Sequence, residues 1–139
     1  MSGIAFVDSN LLIYAHDRDA GPKRELAMAL LERLWSERSG ILSVQVLQEF
    51  FVTVTRKLQT PVARARAREV IRAYAPWVTH PTTPETILRA SELSETARID
   101  FWDALIVAAA EQSGAETLYS EDLNDGQVIA GVRVVNPLR

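Results

Sequence analysis

The sequence predicts an α/β domain with a mostly parallel sheet. Short apolar runs that suit buried strands alternate along the chain with longer helical patterns, as expected of successive strand–helix–strand units. A length of 139 residues, 47% of them apolar, suits one compact domain with a sizeable core. No repeat, linker or low-complexity tract interrupts it. We therefore expect residues 1–139 to form a single domain.

The first half of the chain predicts two strands and three helices. The run "IAFV", closed by Asp8, indicates a short buried strand, and "SNLLIYA" after it starts a helix. The segment "GPKRELAMALLERLWSERSG" predicts an amphipathic helix, because Pro22 lies near its first position and Gly40 ends it. "ILS" predicts a second strand, and Ser43 is the expected N-cap of a third helix. The apolar stripe of that helix comprises Val44, Leu47, Phe50, Phe51, Val54 and Leu58.

In the second half, prolines mark the expected helix boundaries. Thr60-Pro61 opens a helix that Pro76 closes, and "WVT" after it predicts a strand. "TPE" at 83–85 opens the next helix, which runs to about residue 98. Asp100 is the expected N-cap of a last helix that ends near residue 114. "ETLYS" and "VRVV" predict the final two strands, with "NDG" as a turn between them.

Composition excludes several kinds of site. No cysteine is present, which rules out disulfides, thiolate catalysis and cysteine-built zinc sites. His16 and His80 have no paired ligand spacing, so they offer little to a Ser-His-Asp or histidine-rich metal mechanism. A net charge of −3 gives no overall signature of nucleic-acid binding. The chemistry must therefore come mainly from the 18 acidic residues.

The N-terminus carries no visible export signal. "MSGIAFVDSN" lacks both a basic n-region and a long apolar h-region. The apolar runs are far shorter than the roughly 20 residues that span a bilayer. Together with the absence of cysteine, this favours the cytoplasm.

Two aspartates stand beside or within strongly apolar segments. Asp8 directly follows the first buried strand, and open parallel sheets place functional crevices beyond the carboxyl ends of their strands. A turn or helix-capping aspartate is an equally good interpretation. Asp103 is the only charged residue in "FWDALIVAAA", so it must face a wet crevice or a cation. It could also simply complement the helix dipole.

The other acids carry weaker signals. A helical wheel places Glu49 opposite the apolar stripe, beside Gln45 and Arg56, which predicts a solvent-exposed glutamate. The loop "YSEDLNDG" follows a predicted strand and holds three acids, although such loops are usually turns. If this loop, Asp8 and Asp103 meet at one sheet edge, their mutual repulsion favours a bound cation. Oxygen ligands without histidine or cysteine select hard ions, chiefly Mg²⁺ or Mn²⁺.

Four acidic motifs, taken in order, resemble the PIN-domain family. They are "VDSNLLIYA" with Asp8, "VLQEFF" with Glu49, "FWDALIVAAA" with Asp103 and "YSEDLNDGQ" with Asp122. Within the family, the chain looks most like the VapC-type toxins of bacterial toxin–antitoxin modules. The resemblance covers the whole chain and implies a PIN-like α/β/α sandwich that acts as an endoribonuclease.

The resemblance also implies roles, a cofactor and partners. Four acids would form the Mg²⁺ or Mn²⁺ site: Asp8, Glu49, Asp103 and Asp122. Three polar neighbours would orient ligands or contact phosphate: Ser9, Asn10 and Ser120. Three acids leave questions open, because Glu121 or Asp125 could replace Asp122 and Asp100 could join the site. A cognate VapB-type antitoxin would block the acids, and the toxin would form a homodimer.

Basic residues could bind the RNA backbone. "RARAREVIR" places Arg64, Arg68 and Arg72 on one helical face, with Arg66 off it. That face suits either phosphate contacts or an ordinary solvated surface. A second basic cluster comprises Arg18, Lys23 and Arg24. The metal chemistry itself does not distinguish RNA from DNA, because only contacts to the 2′-hydroxyl would do so.

Three other interpretations compete with a nuclease. A phosphate-receiver domain would need a lysine late in the chain, whereas both lysines, Lys23 and Lys57, lie in the first half. A phosphatase would need an Asp-x-Asp pair, but Ser9 and Asn10 follow Asp8. The remaining alternative is a PIN-like module that binds nucleic acid or protein without catalysis.

Overall fold

A five-stranded sheet lies at the centre of the computed structural model, which describes residues 3–139. Its strands are β1 (Ala5–Val7), β2 (Gly40–Ile41), β3 (Thr117–Tyr119), β4 (Val128–Ile129) and β5 (Val132–Val135). The strand order is β2-β1-β3-β5-β4, and only the β4–β5 pair is antiparallel. The predicted α/β fold with a mostly parallel sheet is confirmed.

Six α-helices accompany the sheet within residues 3–139. They are α1 (Ser9–Ala15), α2 (Pro22–Glu37), α3 (Val44–Arg56), α4 (Arg64–Tyr74), α5 (Pro84–Thr96) and α6 (Phe101–Gln112). Helix α1 packs against α2 and α3, and α3 packs against α4; α5 packs against α6, which contacts β3 and β5. None of the helices in this part of the chain combines the length and apolarity needed to cross a membrane.

Local sequence explains several helix boundaries. Pro22 occupies the first turn of α2, as predicted. Thr83 caps α5 through a capping box with Thr86, whose side chain also accepts from the Thr83 N–H group. Helix α2 ends earlier than predicted, because Arg38 adopts a left-handed conformation and Gly40 already begins β2.

Two other sequence predictions were wrong in detail, one strand was missed, and two predicted N-caps were confirmed in position only. Helix α4 begins at Arg64 rather than at Thr60-Pro61, since the proline lies in the loop before it. "WVT" forms no strand: Trp77 ends a 3₁₀ turn over 75–77, and Val78 makes only an isolated bridge. The strand β4 was not predicted, because it has only two residues. Ser43 and Asp100 occupy N-cap positions but their side chains make no capping hydrogen bond.

The core explains why α6 is almost entirely apolar. All residues from 104 to 110 are buried, so most of the helix surface is covered by protein. Helix α3 also faces the core through Val46, Leu47, Phe50 and Val54, whereas Val44, assigned to its apolar stripe, is 45% exposed. The start of α6, which contains Asp103, is by contrast only partly covered.

Candidate active site

Four acidic side chains from different elements line one open groove. Asp8 follows β1, Glu49 lies on α3, Asp103 on α6, and Asp122 in the loop after β3. The groove has a volume of about 430 Å³. Strands β1 and β3 are parallel neighbours with Val7 opposite Tyr119, so the segments that follow them emerge side by side. The structure thus brings together the four acids that the resemblance singled out.

Asp8 is the buried member of the set, with only 3% of its surface exposed. Its carboxylate accepts hydrogen bonds from the Ser9 N–H group and from the Ser120 hydroxyl, both at 2.7 Å. Burial raises its pKa to about 7, and repulsion from Asp122 and Glu49 adds to this rise, although the two hydrogen bonds oppose it. Asp8 is therefore fixed in position and costly to ionise.

Asp103 lies in the first turn of α6 and is partly exposed. Burial raises its pKa, and the negative charges of Asp122, Asp100 and Glu49 raise it further. In the described part of the chain, the ion pairs use other acids, namely Glu69, Glu111, Glu121 and Asp125. No protein cation thus neutralises the carboxylates of the groove by a direct ion pair within residues 3–139.

The three carboxylates of the acidic loop after β3 have different hydrogen-bond partners. Asp122 lines the groove, its backbone N–H donates to the Ser120 hydroxyl at 3.1 Å, and its side chain accepts from Asn10 at 3.1 Å. Asp125 instead accepts from the Asn136 N–H group at 2.8 Å. This geometry favours Asp122 over Asp125 as the acid that reaches the groove.

Glu121 is turned away towards α1 and α2. Its two carboxylate oxygens accept from the Tyr14 hydroxyl and from the Lys23 ammonium group, each at 2.5 Å. Burial alone would raise the pKa of Glu121, but the hydrogen bonds and the charge of Lys23 hold it below its usual range. Because Lys23 is engaged here, it does not join Arg18 and Arg24 as a free basic cluster.

Glu49 was predicted on a solvent-exposed face together with Gln45, and this prediction was wrong. Gln45 is only 8% exposed, and its amide nitrogen donates to Glu49 at 3.3 Å and to the Trp102 carbonyl at 3.2 Å. The amide therefore links the Glu49 carboxylate on α3 to the start of α6. The helical wheel could not anticipate this, because the contact of Gln45 with the start of α6 is made across the fold, whereas Arg56 on the same face is exposed as expected.

Several groove residues were not anticipated from the sequence. Gln48, Val52, Thr53, Lys57 and Ile106 also line it. Lys57 lies eight residues after Glu49, about two helical turns, so its spacing could have placed it on the same face. By contrast, Asp100 and the predicted RNA-binding arginines are not among the lining residues; the arginines Arg64, Arg68 and Arg72 are exposed on α4.

Comparison with known protein families decides the family of this chain. A family model described as the PIN domain matches residues 5–125. The chain belongs to the PIN-domain family. The matched segment begins at β1 and extends past Asp122, so it includes all four acids of the groove. Among curated proteins, none matches the sequence significantly.

Several solved structures share the fold of this PIN domain. The structure of FitAB bound to an IR36 DNA fragment aligns with a TM-score of 0.73 and 21% identity, over 98% of this chain and 96% of that chain. A toxin–antitoxin complex from Klebsiella pneumoniae aligns with a TM-score of 0.67 and 21% identity, over 96% of this chain and 97% of that chain. VapC20 of Mycobacterium tuberculosis, a sarcin–ricin loop cleaving toxin, aligns with a TM-score of 0.61 and 20% identity, over 85% of this chain and 89% of that chain. At these identities the likeness concerns the fold.

A divalent cation suits the donor set of this PIN domain. The four acids offer carboxylate oxygens, and their repulsion at Asp8 and Asp103 is what a cation relieves. Within residues 3–139, no three acidic or histidine side chains are close enough to enclose an ion by themselves. Mg²⁺ usually retains several water ligands and uses only one or two carboxylates. An open groove of this kind is therefore compatible with Mg²⁺ or Mn²⁺.

Proposed function

We propose that this PIN domain is a Mg²⁺- or Mn²⁺-dependent endoribonuclease and the toxin of a VapBC-type toxin–antitoxin module. The observation that supports it is the convergence of Asp8, Glu49, Asp103 and Asp122 on one groove, where no cationic side chain of residues 3–139 forms an ion pair with them. Such a groove repels a phosphodiester unless a metal ion reverses its charge. We also propose that residues 1–139 form one domain and act in the cytoplasm.

The residues of the groove have different roles in the proposed reaction. Asp8 and Asp103 hold the ion, and Ser120 keeps the Asp8 carboxylate oriented through its 2.7 Å hydrogen bond. An ion held there would supply positive charge for the scissile phosphate, the attacking water and the departing oxygen. The products are expected to carry a 5′-phosphate and a 3′-hydroxyl.

The remaining groups position Glu49 and Asp122. Gln45 donates to Glu49, and Asn10 donates to Asp122. Because no histidine lines the groove among the residues that the structure describes, another group would have to take the proton of the attacking water. We assign this role to Glu49, which is partly exposed and held at the groove by Gln45.

The proposed biological role draws on proteins of similar fold. One is a toxin–antitoxin complex, and another is named as a toxin that cleaves the sarcin–ricin loop. By analogy, we propose a cognate VapB-type antitoxin as partner and RNA as substrate, with a homodimer as the toxin's assembly. The alternative is a PIN-like module that binds nucleic acid or protein without cutting it.

RNA cleavage by the purified protein tests the proposed function. We expect a panel of structured RNAs to be cut in Mg²⁺ or Mn²⁺ and left intact in EDTA, with single-stranded DNA cut less efficiently or not at all. Product ends are identified by gel mobility after phosphatase treatment. Cleavage that persists in EDTA would contradict the proposal. RNA binding without cleavage of any RNA in the panel would favour the non-catalytic alternative.

A further inference from the structure

A second polar pocket lies at the end of α1 that is remote from Asp8. Three arginines line it, Arg18, Arg24 and Arg66, together with His16 and the loop at 60–62. We call it the arginine pocket; its volume is about 380 Å³. Helix α1 has seven residues, so this pocket is separated from the acidic groove by about 10 Å along the helix axis.

The arginine pocket carries excess positive charge. The Arg24 Nε atom is buried and has no hydrogen-bond acceptor among residues 3–139. In the same part of the chain, neither Arg18 nor Arg24 forms an ion pair, whereas Arg66 pairs with Glu69 on the exposed surface. Burial and the charges of Arg66 and Arg24 lower the pKa of His16, which is therefore neutral at pH 7. A bound anion is one group that could accept a hydrogen bond from this nitrogen, and water is another.

Two arginines of the pocket lie in the first turns of helices. Arg24 is the third residue of α2 and Arg66 the third residue of α4, and neither helix has a capping side chain, since Gly21 and Ala63 occupy the N-cap positions. The positive end of a helix dipole disfavours a basic residue in the first turn. An anion bound between the two arginines would relieve this unfavourable interaction.

We propose that the arginine pocket binds a backbone phosphate of the same RNA whose scissile phosphate enters the acidic groove. The segment that follows α3 connects the linings of the two sites: Lys57 lines the groove, and Thr60, three residues later, lines the arginine pocket. RNA that crosses this end of α3 would meet Lys57 and then Arg24 and Arg66. This inference rests on the proposed nuclease function, because it assumes that the groove receives RNA.

Binding of a short labelled single-stranded RNA, followed by fluorescence anisotropy in EDTA over a series of salt concentrations, tests the inference. We expect the double variant Arg24→Gln/Arg66→Gln to bind at least about tenfold more weakly. The slope of log affinity against log salt should fall by about 1.4, or about 0.7 for each lost contact to single-stranded RNA. The matched control is Arg38→Gln/Arg133→Gln, which removes the same charge from two exposed arginines that line neither the groove nor the arginine pocket.

The results of this binding experiment distinguish RNA binding in the arginine pocket from a general effect of charge and from recognition of a protein. An equal loss in both double variants would mean a general charge effect, and no loss in either would mean that the pocket does not contact RNA; each overturns the inference. A glutamate-rich peptide serves as competitor: if only its binding depends on Arg24 and Arg66, the pocket recognises a protein and the inference is wrong. Metal-dependent cleavage is measured on the same preparations. Wild-type protein that binds RNA through the pocket but cuts none contradicts the nuclease proposal alone.

Discussion

Replacement of Asp103 by asparagine is expected to reduce RNA cleavage at least about a hundredfold while the protein remains folded. Changes to groups that merely orient metal ligands cost about 10- to 100-fold, so loss of a ligand should cost at least as much. The fold should tolerate the change, because Asp103 is partly exposed and burial and neighbouring negative charges raise its pKa. Initial rates of RNA cleavage in Mg²⁺, with circular dichroism to check the fold, measure both effects.

Asp100→Asn is the matched control for this prediction. Asp100 is an exposed acid three residues earlier, and it does not line the groove. We expect its removal to change the rate by no more than about threefold, since its charge acts on Asp103 only through space. Equal losses in the two variants, or full activity in Asp103→Asn, would contradict the role assigned to Asp103.

Asp8→Asn is expected to stabilise the metal-free protein at neutral pH. The pKa of Asp8 is about 7 in the folded state and near 3.8 in the unfolded chain, so the folded state binds more protons between these values. Stability therefore falls as the pH rises from about 4 to about 7. A difference of about three pH units corresponds to at most about 4 kcal/mol. The net gain from asparagine should be about 1–3 kcal/mol, because the Ser120 hydroxyl must reorient.

Urea unfolding in EDTA at pH 4 and pH 8 checks the prediction. The variant should exceed the wild type in stability at pH 8, and this advantage should disappear at pH 4. His16 titrates in both proteins, so the difference between them isolates Asp8. Asp100→Asn should show no such gain at pH 8. A variant that is less stable than wild type at pH 8 would mean that the Asp8 charge is stabilised by the protein itself.

The fold was predictable where local chemistry determines it. Helix α1 was expected from "SNLLIYA" and has those bounds, and Pro22 and Thr83 marked the starts of α2 and α5 as expected. The failures occurred where tertiary contacts decide. Val78 pairs with Leu42 through a single bridge, and β4 exists because its two residues pair with β5. Neither pattern is long enough to show a period of two.

The site acids that follow strands were easier to predict from the sequence than the acid that lies on a helix face. Asp8 and Asp122 follow parallel neighbouring strands, so their convergence follows from the sheet order. Glu49 could not be found in that way, because its place in the groove depends on the packing of α3 beside α6 through Gln45. The arginine pocket likewise depends on the approach of α2 and α4, which are far apart in the sequence.

Binding of Mn²⁺ to the RNA-free protein, followed by electron paramagnetic resonance of the free ion, tests the central claim most directly. The account predicts that the wild-type protein binds Mn²⁺, and that Asp8→Asn and Asp103→Asn each weaken this binding at least about tenfold, whereas Asp100→Asn does not. If the wild type binds no Mn²⁺ at millimolar concentration, or if binding survives both substitutions, the acidic groove is not a metal site and the proposed mechanism is wrong.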